Sequence, residues 1–197
     1  MTIIEPHIHM LSRTTDEYQA LYRAGIRACV EPSFWLGTNR RYAGSFFDYF
    51  RLILEFETVR AARFGIDHYC AIAMNPKEAD DRALADEVID GLAEYLDHPR
   101  CVALGEVGLN LNTPNEERAM IRQLRMAEER RMPVILHTPH VVKLKGTRRI
   151  LEIIRAEGFT VERIDVDHNT EETIKLTLDS GCYAGMTVYP YSKLNPQ

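Results

Sequence analysis

No stretch of the sequence approaches the ~20 consecutive apolar residues of a membrane span, and no basic segment leading into an apolar one opens the chain. A cytoplasmic protein with no membrane partner is expected. An excess of positive charge is also missing, since 24 Lys and Arg stand against 29 Asp and Glu for a net charge of −5. A broad nucleic-acid footprint needs the opposite balance, so a small local basic patch is what remains for an anionic ligand. Cysteine is sparse. Cys29, Cys70, Cys101 and Cys182 form no CxxC pair and each lies in an apolar run, which points away from a disulfide framework and toward buried reduced thiols. Low-complexity linkers and internal repeats are absent too, so one domain spanning 1–197 is expected.

What the sequence does contain is an alternation of short β-branched segments with longer segments of helical period, the pattern of parallel strands joined by crossover helices. The spacing predicts strands at Ile3–His9, Ile26–Glu31, His68–Met74, Val102–Val107, Val134–His137, Arg163–Asp167 and Tyr183–Val188. Helices are predicted over Asp16–Ala24, Phe46–Phe64, Ala83–Leu96, Pro114–Arg131, Thr147–Glu157 and Thr170–Leu178, with Gly25, Gly65 and Gly158 as stops. A complete (β/α)8 barrel takes about 250 residues, and here the seventh strand runs into Tyr189-Pro190-Tyr191 and a polar tail. The expectation is an α/β barrel of the TIM type, C-terminally incomplete, lacking its last strand and helices.

The chemistry gathers at strand ends. Pro6-His7-Ile8-His9 closes the first strand, and the period of two turns His7 and His9 to the same face. Glu106 sits between glycines at the end of the apolar fourth strand, where an unpaired carboxylate is costly and calls for a cation. His137 ends the fifth strand and His168 follows the sixth. Four C-terminal strand ends converge on one mouth, where barrel enzymes keep their chemistry, so these five residues are the candidate metal site.

This constellation resembles the TatD-like branch of metal-dependent hydrolases in the amidohydrolase superfamily. The resemblance rests on HxH at His7 and His9, Gly105-Glu106-Val107-Gly108-Leu109, and the terminal histidines His137 and His168, and it covers essentially the whole chain. It implies that His7 and His9 bind one divalent ion, that Glu106 bridges two, and that His137 and His168 complete the second site. Zinc is the first expectation on generality; manganese, iron and nickel suit the same donors. Three positions depart from the family pattern. Asn110 stands where Asp is usual, no Arg follows His137 in His137-Thr138-Pro139-His140, and the Asp of an eighth strand has no counterpart before Gln197.

Such a centre implies hydrolysis by activated water, on a phosphoester (a nucleic-acid phosphodiester included, though charge does not favour it) or on a carboxylic ester, lactone or amide. A non-catalytic metal-binding or scaffold protein of the same fold is the alternative. Glu31 at the end of the second strand is a further candidate ligand, with a plain salt bridge as the other reading. His140 and Lys143 are candidate substrate contacts, and Lys145, Arg148 and Arg149 could join Lys143 around an anion. Phe34 and Trp35 either line the pocket or anchor their loop, while His68 and His98 read as structural.

Overall fold

A computed structural model of the chain describes residues 1–188, so the tail from Tyr189 lies outside the described residues. The β-branched segments form β1 (Ile3–Glu5), β2 (Ile26–Pro32), β3 (Asp67–Ala71), β4 (Cys101–Gly108), β5 (Val134–His137), β6 (Ile164–Val166) and β7 (Tyr183–Ala184). All neighbours pair in parallel and in chain order. Parallel neighbours require crossovers, which the helices supply. These are α1 (Thr15–Ala24), α2 (Ala43–Arg51), α3 (Thr58–Ala62), α4 (Arg82–Asp90), α5 (Leu92–Leu96), α6 (Pro114–Arg130), α7 (Lys143–Glu157) and α8 (Ile174–Asp179). β1 and β6 are remote in the strand order, yet His7 beyond β1 touches both Glu106 on β4 and Asp167 beyond β6. The sheet is therefore curled into a half-barrel, as the α/β barrel pattern of the sequence leads one to expect.

Alternation along the strands builds two layers. Cys70, Leu104, Leu136 and Val166 face outward and pack with Phe46, Phe50, Ile53, Leu92 and Ile150 from the helices. The intervening positions Ala71, Ala103 and Ile135, with Val30, form a small cluster on the other, concave face. All four cysteines are buried and unbridged. No helix among the described residues is long and apolar enough to cross a membrane.

Two predicted helices are interrupted. A π-helical stretch at Leu52–Glu57 joins α2 to α3, where the Thr58 hydroxyl donates to Leu54 O (2.8 Å) and the Cys70 thiol to Ile53 O (3.4 Å). Side-chain donors thus take carbonyls that a regular helix would use. The Ala83–Leu96 segment divides at Gly91, where a Cβ would meet the Phe47 ring at 2.4 Å; the glycine lets α2 and α4 approach. α7 starts at Lys143, ahead of the predicted Thr147, whereas α8 starts late, at Ile174.

Candidate metal centre

β1 stops at Glu5 and not at His9, because Pro6 has no N–H to continue the ladder. The chain nevertheless stays beside β2, since Ile8 N donates to Val30 O (3.1 Å). Alternation therefore persists. Ile8 packs against the cluster of Met10, Tyr18, Ile26 and Cys29, while His7 and His9 turn to the concave side with ring centroids 5.2 Å apart. Phe34 stacks on His9 at 3.8 Å between centroids.

Glu106 reaches the same place through a bulge. β4 pairs Gly105 with Ile135 and then Val107 with Leu136, so Glu106 has no opposite residue. Leu104 and Val107 both pack outward, and the extra residue between them re-aims the carboxylate into the concavity. The flanking glycines permit this. A Cβ at Gly105 would lie 2.8 Å from Ile135 Cβ, and one at Gly108, with φ of 151°, would lie 2.2 Å from His137 O. His137 ends β5, and His168 follows β6 with a left-handed φ of 60°.

The five candidate ligands are brought together in two groups that share Glu106. One donor atom each from His7, His9 and Glu106 lie mutually within 4.8 Å, and the same holds for Glu106, His137 and His168. Glu106 Oε1 lies 3.1 Å from His7 Nε2 and 3.4 Å from His168 Nε2, while Oε2 lies 3.7 Å from His137 Nδ1. Asn75 Nδ2 donates to Glu106 Oε2 at 3.1 Å. Nδ1 of His9 and both ring nitrogens of His137 are buried without a hydrogen-bond partner among the described residues. Lone pairs left so in a protein interior are costly unless an ion takes them, so the donor set fits divalent metal.

Electrostatics follow from this crowding. Burial alone raises the Glu106 carboxyl, but the imidazoles of His137, His168 and His7 overcome it and hold the group well below the usual carboxylate range. For His7 burial works downward, yet the carboxylates of Asp167 and Glu106 prevail and push it up to about 10. His9 lacks an equivalent partner, and burial takes it down to about 4. Burial also lowers His168. Asp165 is pushed up to about 6 by burial and by the negative charge of Asp167, which is itself lowered mainly through His7 in spite of burial.

Glu31 does not join the cluster. Its Oε1 accepts Met10 N (2.7 Å) and Leu11 N (2.9 Å), and its Oε2 meets His68 Nε2 at 2.8 Å. Oε1 braces the loop after the HxH and Oε2 holds His68, so the structure shows Glu31 in the ion-pair arrangement that was the other reading of this residue, with His68 as its structural partner. His98 caps a turn, accepting Arg100 N at 3.1 Å. A cavity of about 860 Å³ opens above the cluster, with Phe34, Trp35, Lys77 and His140 on its walls. His140 also lines an adjoining cavity of about 630 Å³ together with Lys143, whose Nζ donates to Thr138 Oγ1 (2.8 Å). Arg149 is turned away onto Glu117 (2.6 Å), and Lys145 and Arg148 line a separate groove with it. Sequence reasoning missed Asn75, Asp165, Asp167 and Thr187. For the aspartates the signal was there: Asp165 and Asp167 alternate with Val166 on a strand whose other face is apolar.

A family model for TatD-related DNases matches residues 5–194. The chain belongs to this TatD family of metal-dependent hydrolases. An uncharacterized metal-dependent hydrolase of Methanocaldococcus jannaschii is 28% identical over 195 residues, which are 98% of this chain and 75% of the relative. The TatD-like protein of Archaeoglobus fulgidus is 28% identical, with a TM-score of 0.82 over 94% of this chain and 76% of that one. A phosphotriesterase homology protein from Escherichia coli, 20% identical, shares the fold with a TM-score of 0.60 over 93% of this chain and 69% of its own. The TatD resemblance read from HxH, GExGL and the two terminal histidines is thereby borne out.

Proposed function

We propose that this TatD-family chain holds two divalent ions, one on His7, His9 and Glu106 and one on Glu106, His137 and His168, and hydrolyses a small phosphoester. The observation that carries the reading is the sharing of one bulged carboxylate from β4 by two histidine pairs that arrive from the ends of three other strands, β1, β5 and β6. Bound ions of this kind lower the pKa of water toward ~7 and polarise the scissile group. The protein's own part is positional. Glu106, kept ionised by its three imidazole neighbours, supplies the negative charge common to both sites, and Asn75 fixes its second oxygen. Phe34 packs His9 in place from the cavity side. His140 and Lys143 stand where the adjoining cavity meets His168, and a cation and an imidazole there suit the anionic end of the substrate.

A small ester of phosphoric acid is favoured over a long nucleic acid because the net charge is −5 and Arg13, on the same cavity, already pairs with Glu17 at 3.1 Å. Carboxylic esters, lactones and amides use the same activated water, and zinc leads manganese, iron and nickel as the ion on the mixed donor set. The test is turnover on phosphomonoesters, phosphodiesters, an oligodeoxynucleotide, esters and lactones. Activity on a phosphoester, lost with a chelator and regained with Zn²⁺ or Mn²⁺, is the expected result, and Lys143→Ala should raise KM with little change in kcat. Tight metal with no turnover across the panel would establish a non-catalytic metal-binding protein instead.

A further inference from the structure

Asp167 is almost fully buried, and it stands behind the cluster where neither triad includes it. Its backbone is fixed to β5 on both sides: Asp167 N donates to Leu136 O (2.8 Å), and Thr138 Oγ1 donates to Asp167 O (2.8 Å). Its Oδ2 is in ion-pair contact with His7 Nδ1, and neither atom has another hydrogen-bond partner among the described residues. Its Oδ1 accepts the Thr187 hydroxyl at 3.2 Å and His168 N at 2.5 Å. The same Thr187 oxygen lies 2.6 Å from His168 Nδ1.

Donor and acceptor roles in this chain are forced by chemistry. A carboxylate only accepts, and a threonine hydroxyl has one proton to give. Since Thr187 gives it to Asp167, the short contact with His168 requires the imidazole Nδ1–H to donate to Thr187. By the same logic the His7 Nδ1–H points at Asp167. In a neutral ring with its proton on Nδ1, Nε2 is the nitrogen that would bind an ion, and in both rings it is Nε2 that faces Glu106 Oε1, at 3.1 Å and 3.4 Å. His7 belongs to one triad and His168 to the other.

We propose that Asp167 is the positioning carboxylate of the whole centre, orienting His7 directly and His168 through the Thr187 hydroxyl, so that one acid sets the tautomers of a ligand in each metal site. This rests on the two-metal reading above. Outer partners of ligating histidines typically govern metal affinity by about 10–100-fold. Thr187 serves one site alone, whereas Asp167 serves both, and that asymmetry separates a positioning role from a general effect on folding.

The experiment is titration of the metal-free full chain with Zn²⁺, following bound metal by calorimetry and elemental analysis, with the thermal midpoint of each metal-free variant as a folding control. Wild type is expected to take two ions. Thr187→Val should weaken one of them about 10–100-fold and leave the other unchanged, Thr187→Ser should restore it, and Asp167→Asn should weaken both. Two tight ions in Thr187→Val, equal weakening of both, or no rescue by serine would overturn the proposal even if Asp167→Asn fails to fold. Fewer than two ions in wild type would remove the two-metal reading and the proposal with it.

Discussion

Glu106 touches three imidazoles at once, so its charge cannot be lost from one site without the other. Glu106→Gln should lower affinity at both sites by more than about 100-fold, beyond the effect of an outer partner, as read by elemental analysis after dialysis. A second residue tests the electrostatics away from the candidate metal centre. Glu57 is buried, with Oε1 unpaired and Oε2 3.2 Å from Arg60, and burial pushes its carboxyl up in spite of Arg60. An acid whose pKa is higher folded than unfolded destabilises the fold as pH rises through the unfolded and then the folded value. Glu57→Gln should therefore raise stability at pH 7 by about 1 kcal/mol, the scale of a buried unsatisfied group, and the gain should vanish at acidic pH; urea unfolding at both pH values checks it. The convergence of the five candidate ligands was legible because strand ends of a parallel sheet share one mouth. Glu31 was not, since a strand-end acid looks the same whether it meets a metal or the amides of Met10 and Leu11. Thr187 was invisible for a different reason: its meaning depends on the return of β7 to β6.

β4 is the element on which the centre depends. Its bulge delivers Glu106, and its glycines let it lie against β5 with almost no clearance. Gly108→Ala combines a φ of 151° with a Cβ overlapping His137 O, so it should destabilise by about 3 kcal/mol or more and displace His137. Denaturant unfolding together with metal content measures both. Strand positions were readable from β-branched runs, and their true ends were less so. Pro6 shortens β1 by its missing donor, although the alternation that aims His7 and His9 survives it. The π-helical stretch and the division at Gly91 escaped the periodicity because their causes lie across space, in Cys70 and Phe47.

At the scale of the molecule, parallel strands in chain order were implied by the alternation of the sequence, and the curl of the sheet gives that order its function by bringing β1, β4, β5 and β6 to one cluster. Ions held there as proposed would tie the first strand to the sixth, and any ligand that binds only the folded state stabilises it, by about 2.7 kcal/mol at 100 times Kd. Zinc added to metal-free protein should accordingly raise the thermal midpoint, and chelation should reverse the rise. The most direct test of the centre is anomalous diffraction at the zinc edge from crystals of the zinc-loaded chain. Two peaks are expected, one within about 2.0–2.2 Å of donors from His7, His9 and Glu106 and one equally close to Glu106, His137 and His168. A single peak, or two that do not share Glu106, would contradict the two-metal reading.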